Sequence, residues 1–197
     1  MSRLIADIGA TNARFAIAND DGIHHIDVLP CDDFPTLADA AKTYLSRIGG
    51  EKPQTGAFAV AIPLSGADQV AMTNHGWSFS ISGTRDDIGL ARLDVINDFT
   101  ALALGIPHLT ENDYYTLGGG APMRGAPVGI IGPGTGLGVG AVVFGKNGEP
   151  IPVTTEGGHV TMPASSEREF RLFEWLKQTK YHHISAERVI SGKGLVN

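Results

Sequence analysis

Leu4-Ile-Ala-Asp-Ile-Gly-Ala-Thr-Asn-Ala-Arg-Phe-Ala-Ile-Ala18 holds two short apolar runs around a small polar break, and its reading decides the fold. Residues 4–8 read as a buried strand and residues 14–18 as a second, with Gly9-Ala10-Thr11-Asn12 as the hairpin turn between them. Residues 23–29 supply a third strand. A helix follows, because Leu37, Ala41, Tyr44, Leu45 and Ile48 recur at helical spacing. Thr36 and Asp39 have capping-box spacing, and Gly49-Gly50 stops the helix. Three meandering strands and a helix form half of an α/β unit. Residues 57–62 and 93–96 are further short strands, the first halted by Pro63 and the second leading into Asn97-Asp98. Residues 99–106 read as helix until Pro107 ends it.

Pro107 is the expected domain boundary, giving a small α/β domain over 1–107 and the start of a larger one over 108–197. In that second part, residues 128–131 and 139–144 read as strands around a glycine-rich turn. Residues 166–178 form an amphipathic helix with Ser166 and Glu169 spaced as a capping box, and Ser185 is expected to cap a short turn that holds Glu187. The chain stops at Asn197 where a new helix begins to form, and we expect a fragment of a longer protein.

Composition narrows the function. The formal net charge is −6 and Lys and Arg form no cluster, which argues against a nucleic-acid or anionic-membrane surface. Cys31 is the only cysteine, which excludes a disulfide framework and any Cys-rich metal site, and fits a reducing cytoplasm. Residues 125–145 are uncharged, but they hold eight glycines and two prolines, so a strand–turn–strand is the better reading than a membrane span. Fourteen of the 26 glycines fall between Gly118 and Gly158, a block that means tight turns or close approach to a ligand.

Four segments carry candidate chemistry. Asp7-Ile-Gly-Ala-Thr-Asn12 places a carboxylate at a strand end before a turn with backbone N–H groups and a hydroxyl, the features that hold phosphate and Mg²⁺. Alone, it reads first as an ordinary hairpin turn. Gly132-Pro-Gly-Thr-Gly-Leu-Gly-Val-Gly140 lacks both the dinucleotide fingerprint and a P-loop lysine, and reads equally as a phosphate cradle or a bulged hairpin. Asn97-Asp98 stands at a strand's carboxyl end, where Asp98 can take a proton from an attacking hydroxyl or simply cap a helix. Glu156-Gly-Gly-His159 spaces an acid and an imidazole to meet neighbouring hydroxyls of a polyol, or to make a structural turn; no third ligand is evident for a metal.

Other residues read more plainly. Thr73-Asn74-His75 lies before Trp77 and Phe79, an amide beside aromatics that can line a polar pocket, although the two aromatics read first as core residues. The pairs His24-His25 and His182-His183 read as exposed strand or loop histidines, and Cys31 as a small buried residue.

Together these segments closely resemble the bacterial glucokinases of the hexokinase–actin ATPase superfamily. Asp7-Ile-Gly-Ala-Thr-Asn-Ala-Arg14 and Gly132-Pro-Gly-Thr-Gly-Leu-Gly138 look like that family's phosphate segments. Ala71-Met-Thr-Asn-His-Gly-Trp77, Ile96-Asn-Asp-Phe-Thr-Ala101, Glu156-Gly-Gly-His159 and Ser185-Ala-Glu-Arg-Val189 look like its sugar-site signatures, in family order.

The resemblance implies a ribonuclease H-like, actin-like ATPase fold, with a small α/β domain followed by an incomplete larger α+β domain. It implies ATP-dependent phosphorylation of glucose to glucose 6-phosphate, the first step of glycolysis, in the cytoplasm and by a homodimer at full length. Asp98 would be the base and, together with Asn74, Asn97, Glu156, His159 and Glu187, would bind the sugar hydroxyls. Asp7, Gly9, Ala10, Thr11 and Asn12, with Gly134, Thr135 and Gly136, would hold the phosphates of ATP, and Asp7 the Mg²⁺. Ala10 departs from the glycine common in the family, and the chain is shorter than family members. The rival readings are a kinase of another hexose, a non-catalytic sugar-binding module, and a sugar-responsive regulator. The regulator is opposed by the six residues before Asp7 and the single cysteine.

Overall fold

The computed structural model describes residues 1–49, 51–64, 66–72 and 75–197. They form two compact units, Met1–Ala101 and Leu102–Asn197.

The first unit is built on strands β1 (Arg3–Ile8), β2 (Asn12–Asn19) and β3 (Gly22–Pro30), helix α1 (Leu37–Ile48) and strand β4 (Thr55–Val60). There follow β5 (Gln69–Ala71), β6 (Ser78–Ser80), helix α2 (Ile81–Ile88), β7 (Arg92–Asn97) and the start of helix α3 (Asp98–Gly105). The five-stranded sheet runs β3-β2-β1-β4-β7. Its first three strands are antiparallel, as the meander predicts, and β1, β4 and β7 are parallel. β1 alternates strictly: Leu4, Ala6 and Ile8 are buried and Asp7 is exposed on the opposite face. The buried face packs on α1, where Leu37, Ala40, Ala41 and Tyr44 complete the core. Phe15 stacks on Tyr44 at 5.3 Å between ring centroids and meets Phe58 edge-on. The Tyr44 hydroxyl donates to the His25 carbonyl (2.8 Å), and burial pushes its pKa up to about 12. Thr36 caps α1 through the Asp39 N–H, and Gly49 ends it with φ 54°.

Register is what positions the chemistry. Ile8 lies beside Val60, and Val60 beside Asn97, so three parallel strands end level with one another. The Gly9–Asn12 turn and Asn97-Asp98 therefore leave the same edge of the sheet, where ligands of parallel sheets gather.

The second unit holds a three-stranded antiparallel sheet of β8 (Val128–Pro133), β9 (Leu137–Phe144) and β10 (Pro150–Thr154), in the order β10-β9-β8. Helix α4 (Glu167–Thr179) carries the expected capping box: the Ser166 side chain takes the Glu169 N–H while Glu169 takes the Ser166 N–H. Phe173 and Leu176 of α4 pack with Ile184 in a small core. Ser185 departs from expectation. It precedes a 3-10 turn over Ala186–Arg188, but its buried side chain makes no capping bond. Pro107 lies in another 3-10 turn, Ile106–His108, just after α3. No helix among the described residues is long and apolar enough to cross a membrane.

Candidate functional site

In the first unit, Asp7 and Arg14 face each other across the β1–β2 ladder and pair at 2.9 Å. The turn between those strands is tied down by its own backbone and by the residue after β3. Gly9 N–H donates to the Asn12 carbonyl (3.0 Å), Cys31 N–H to the Thr11 carbonyl (2.9 Å), and the buried Cys31 thiol to the Gly9 carbonyl (3.6 Å). That leaves the N–H groups of Ala10 and Thr11 and the exposed Thr11 hydroxyl without a hydrogen bond among the described residues. Free amides on a small turn are donors suited to phosphate. Ala10 fits: His25 is the one non-glycine described residue with positive φ, so the turn does not require glycine at position 10.

Asp98 begins α3, but Asn97 does the capping. The Asn97 Oδ1 accepts from the N–H groups of Phe99 (3.0 Å) and Thr100 (3.1 Å). Its Nδ2 donates to the Ile62 carbonyl (3.2 Å) and to Asp98 Oδ1 (2.8 Å). The Phe99 N–H also reaches Asp98 Oδ1 (2.9 Å), which leaves Oδ2 without a partner among the described residues. Partial burial raises the Asp98 pKa above the ordinary carboxylate value, the negative charge of Asp7 adds to the rise, and the bonds from Phe99 and Asn97 oppose it. The result is an oriented carboxylate with one open oxygen and a strengthened appetite for a proton.

In the second unit, Pro133 pairs with Leu137 and the turn closes through Gly134 N–H to the Gly136 carbonyl (2.8 Å). The exposed Thr135 hydroxyl and the N–H groups of Thr135 and Gly136 make no hydrogen bond among the described residues. Glu187 lies against this turn: its Oε2 accepts from Leu137 N–H at 2.9 Å, and a Cβ on Gly136 would stand 2.5 Å from that oxygen. His159 joins the two acids, with Nδ1 3.1 Å from Glu156 Oε2 and Nε2 3.7 Å from Glu187 Oε1. The glycine pair between Glu156 and His159 is a close-approach device. A Cβ on Gly158 would fall 2.0 Å from the Leu137 carbonyl oxygen. Thr155, absent from the sequence-level expectations, orients the segment by donating to the Val139 carbonyl (2.7 Å) and accepting the Gly157 N–H (3.1 Å).

Each unit thus gathers its own expected residues: Asp7, the Gly9–Asn12 turn, Asn97 and Asp98 in the first, and Gly134–Gly136, Glu156, His159 and Glu187 in the second. Asn74 lies outside the described residues. Among those described, no group of three or more His, Cys, Asp or Glu is arranged to hold a metal ion. Asp7 gives one oxygen to Arg14, so its other oxygen is the one available to a Mg²⁺ ion, which keeps several waters and takes further ligands from substrate phosphates.

The chain matches the family model described as Glucokinase over residues 4–197. It is 50% identical to a glucokinase of Paramagnetospirillum magneticum over 197 residues, covering 98% of this chain and 60% of that protein. A crystal structure of a glucokinase from an Antarctic psychrotroph superposes with a TM-score of 0.85 at 34% identity, covering 98% of this chain and 62% of that one. A ROK family glucokinase from Streptomyces griseus, solved with glucose and AMPPNP, shares the fold with a TM-score of 0.61 at 19% identity, over all of this chain and 59% of that one. The chain spans about 60% of the length of the curated relatives it matches.

Proposed function

This chain belongs to the glucokinase family, and from that premise we propose that it carries the base, the sugar contacts and the phosphate turns of an enzyme transferring a phosphoryl group from ATP to glucose. The product is glucose 6-phosphate, and the reaction is the first step of glycolysis. The observation that carries this reading is Asp98, a partly buried carboxylate fixed by Asn97 through one oxygen and open through the other.

Phosphoryl transfer asks for positioning, charge neutralisation and one oriented hydroxyl. Asp98 Oδ2 accepts the proton of the sugar's 6-hydroxyl. Glu156, His159 and Glu187, with Asn74, hold the remaining hydroxyls. Asn97 reaches the sugar as well as Asp98, since its Nδ2 can exchange one of its two bonds for a hydroxyl. The Gly9–Asn12 turn and the Gly134–Gly136 turn receive the ATP phosphates on their free N–H groups, with Thr11 and Thr135 adding hydroxyls. Mg²⁺ bound at Asp7 through water would neutralise phosphate charge. The psychrotroph protein supports this reading by its name, and the Streptomyces protein by the glucose and AMPPNP it was solved with. We place the enzyme in the cytoplasm and, at full length, in a homodimer.

The test is ADP formation from MgATP with glucose, mannose, fructose or galactose as acceptor, on this chain and on the full gene product, with the product identified by ³¹P NMR. Glucose should give a 6-phosphate faster than the other hexoses in the full gene product. ADP formation independent of any sugar, or a different hexose clearly preferred, would overturn the reading.

A further inference from the structure

Beyond α4 the chain forms a cavity of about 320 Å³ lined by Lys180, Tyr181, His182, His183, Ser185 and Arg188, with His159 also in its wall. Its lining is unlike the rest of the molecule. The chain as a whole is acidic, with a net charge of −6, yet the lining holds two permanent cations and three imidazoles and, among the described residues, no carboxylate. Six of the fifteen Lys and Arg residues, Arg14, Lys42, Arg47, Arg85, Arg92 and Arg171, reach an acidic partner among the described residues. Lys180 and Arg188 have none among the described residues. Lys180 donates instead to the neutral Asn197 side chain.

The cations are also held in place. The Arg188 guanidinium lies over the Tyr181 ring at 4.3 Å from its centroid, and Lys180 Nζ stands 5.6 Å from the same ring. The Tyr181 hydroxyl is fixed on Asn197 (2.9 Å). His183 meets Thr161 through Nε2 (2.9 Å), while His182 makes no hydrogen bond among the described residues. A planar guanidinium fixed on a ring, an ammonium and imidazole N–H groups are the donors that a phosphate group takes in charge-assisted bonds. A neutral hexose needs none of this charge. The volume exceeds that of a bare anion and is at the small end of the range for small-molecule pockets.

We propose that this cavity is a binding site for a small phosphate monoester, gripped by Lys180 and Arg188 with His182 and His183 completing the shell. An occupant also lies beside His159, at the edge of the Glu156–His159–Glu187 cluster. The grip comes from Lys180, Arg188, His182 and His183, which the kinase reading does not use, while His159 is shared with the sugar contacts of that reading.

The test is an NMR titration of the chain at low ionic strength, where exposed charges are least screened, with glycerol 3-phosphate as the probe and glycerol as its neutral control. The phosphate monoester should shift the His182 and His183 ring signals saturably, and glycerol should not. In a Lys180→Gln/Arg188→Gln variant the affinity read from those signals should fall at least about tenfold, from the loss of two charge-assisted contacts. Lys180→Gln alone, which keeps the Tyr181–Arg188 stack, should give an intermediate loss. No saturable shift of these rings, or equal affinity in the double variant, would overturn the proposal.

Discussion

The two units each pair a small-residue turn with a carboxylate, and they do it by opposite means. In the first, the Gly9–Asn12 turn is held by backbone and by Cys31, and Asp98 is held by its neighbour Asn97. Turn and carboxylate share an edge of the sheet and no hydrogen bond. In the second, the turn and the carboxylate are bonded to each other, because Glu187 accepts the Leu137 N–H. The word glycine therefore means two things here. Gly9 has ordinary space around it, a Cβ there standing 3.4 Å from the Asn12 carbonyl oxygen, whereas Gly136 and Gly158 hold open places that other atoms already fill. Substitutions should have local effects in the first unit and spread through the second.

Gly158→Ala should break the second unit most severely, because the added methyl meets a backbone carbonyl that cannot swing aside. We expect a loss of about 3 kcal/mol in urea unfolding followed by Trp175 fluorescence, with the Trp77 signal of the first unit unmoved. Gly136→Ala comes next, at about 1–2 kcal/mol, since Glu187 can move away but then gives up its bond to Leu137. Gly9→Ala is the control from the other unit and should stay within about 0.5 kcal/mol. Equal effects at Gly9 and Gly136 would erase the contrast.

Glu187 sharpens the comparison from the side-chain end. Glu187→Gln keeps an acceptor for the Leu137 N–H, so it should retain more stability than Glu187→Ala, which leaves that donor bare. The same unfolding curves decide it: identical midpoints for the two variants would mean that the bond contributes nothing.

The smallest expected effect is a matter of sign at Asp98. Its carboxyl lies above the ordinary value in the folded chain, so the folded state holds that proton more tightly than the unfolded one. The contribution of this group to stability is therefore present at acid pH and falls as pH rises through the shifted value. Asp98→Asn, which cannot ionise, should gain slightly on the parent at pH 7 and show no such gain at pH 3, with midpoints compared at each pH. A gain at pH 3 alone would contradict the direction of the shift.

Much of this was legible in the sequence where one segment carried its own signal. The apolar runs of β1, β2 and β9, the helical spacing of α1 and the Ser166–Glu169 box at α4 all appear in the structure close to where the spacing put them. What escaped was structure without a local pattern. β5 and β6 are three residues each and pair with one another. α2, Ile-Ser-Gly-Thr-Arg-Asp-Asp-Ile, is rich in poor helix formers and is fixed by its ends, Ser80 as cap and Gly89 at φ 83°. β10 carries Pro150 and Pro152, which belong to an edge strand and disguise it.

The site residues divide in the same way. Asp98 stood out as a candidate by its place at a strand end, and Glu156 and His159 by their spacing across a glycine pair. The bond from Leu137 to Glu187 spans 50 positions, and no spacing rule reaches that far. At Asn97-Asp98 the residue types left cap and base interchangeable, and only the hydrogen bonds give the cap to Asn97 and free Asp98.

We propose that Asp98 serves the chemical step and leaves most of the sugar affinity to other residues. The most direct test is Asp98→Asn in the full gene product, with turnover of glucose and MgATP measured beside glucose binding by calorimetry. Turnover should fall by about 10²–10⁴-fold, the range for loss of a general base, with glucose affinity kept within about tenfold. Turnover retained while glucose binding is lost would contradict it, and would make Asp98 a sugar ligand instead of the base.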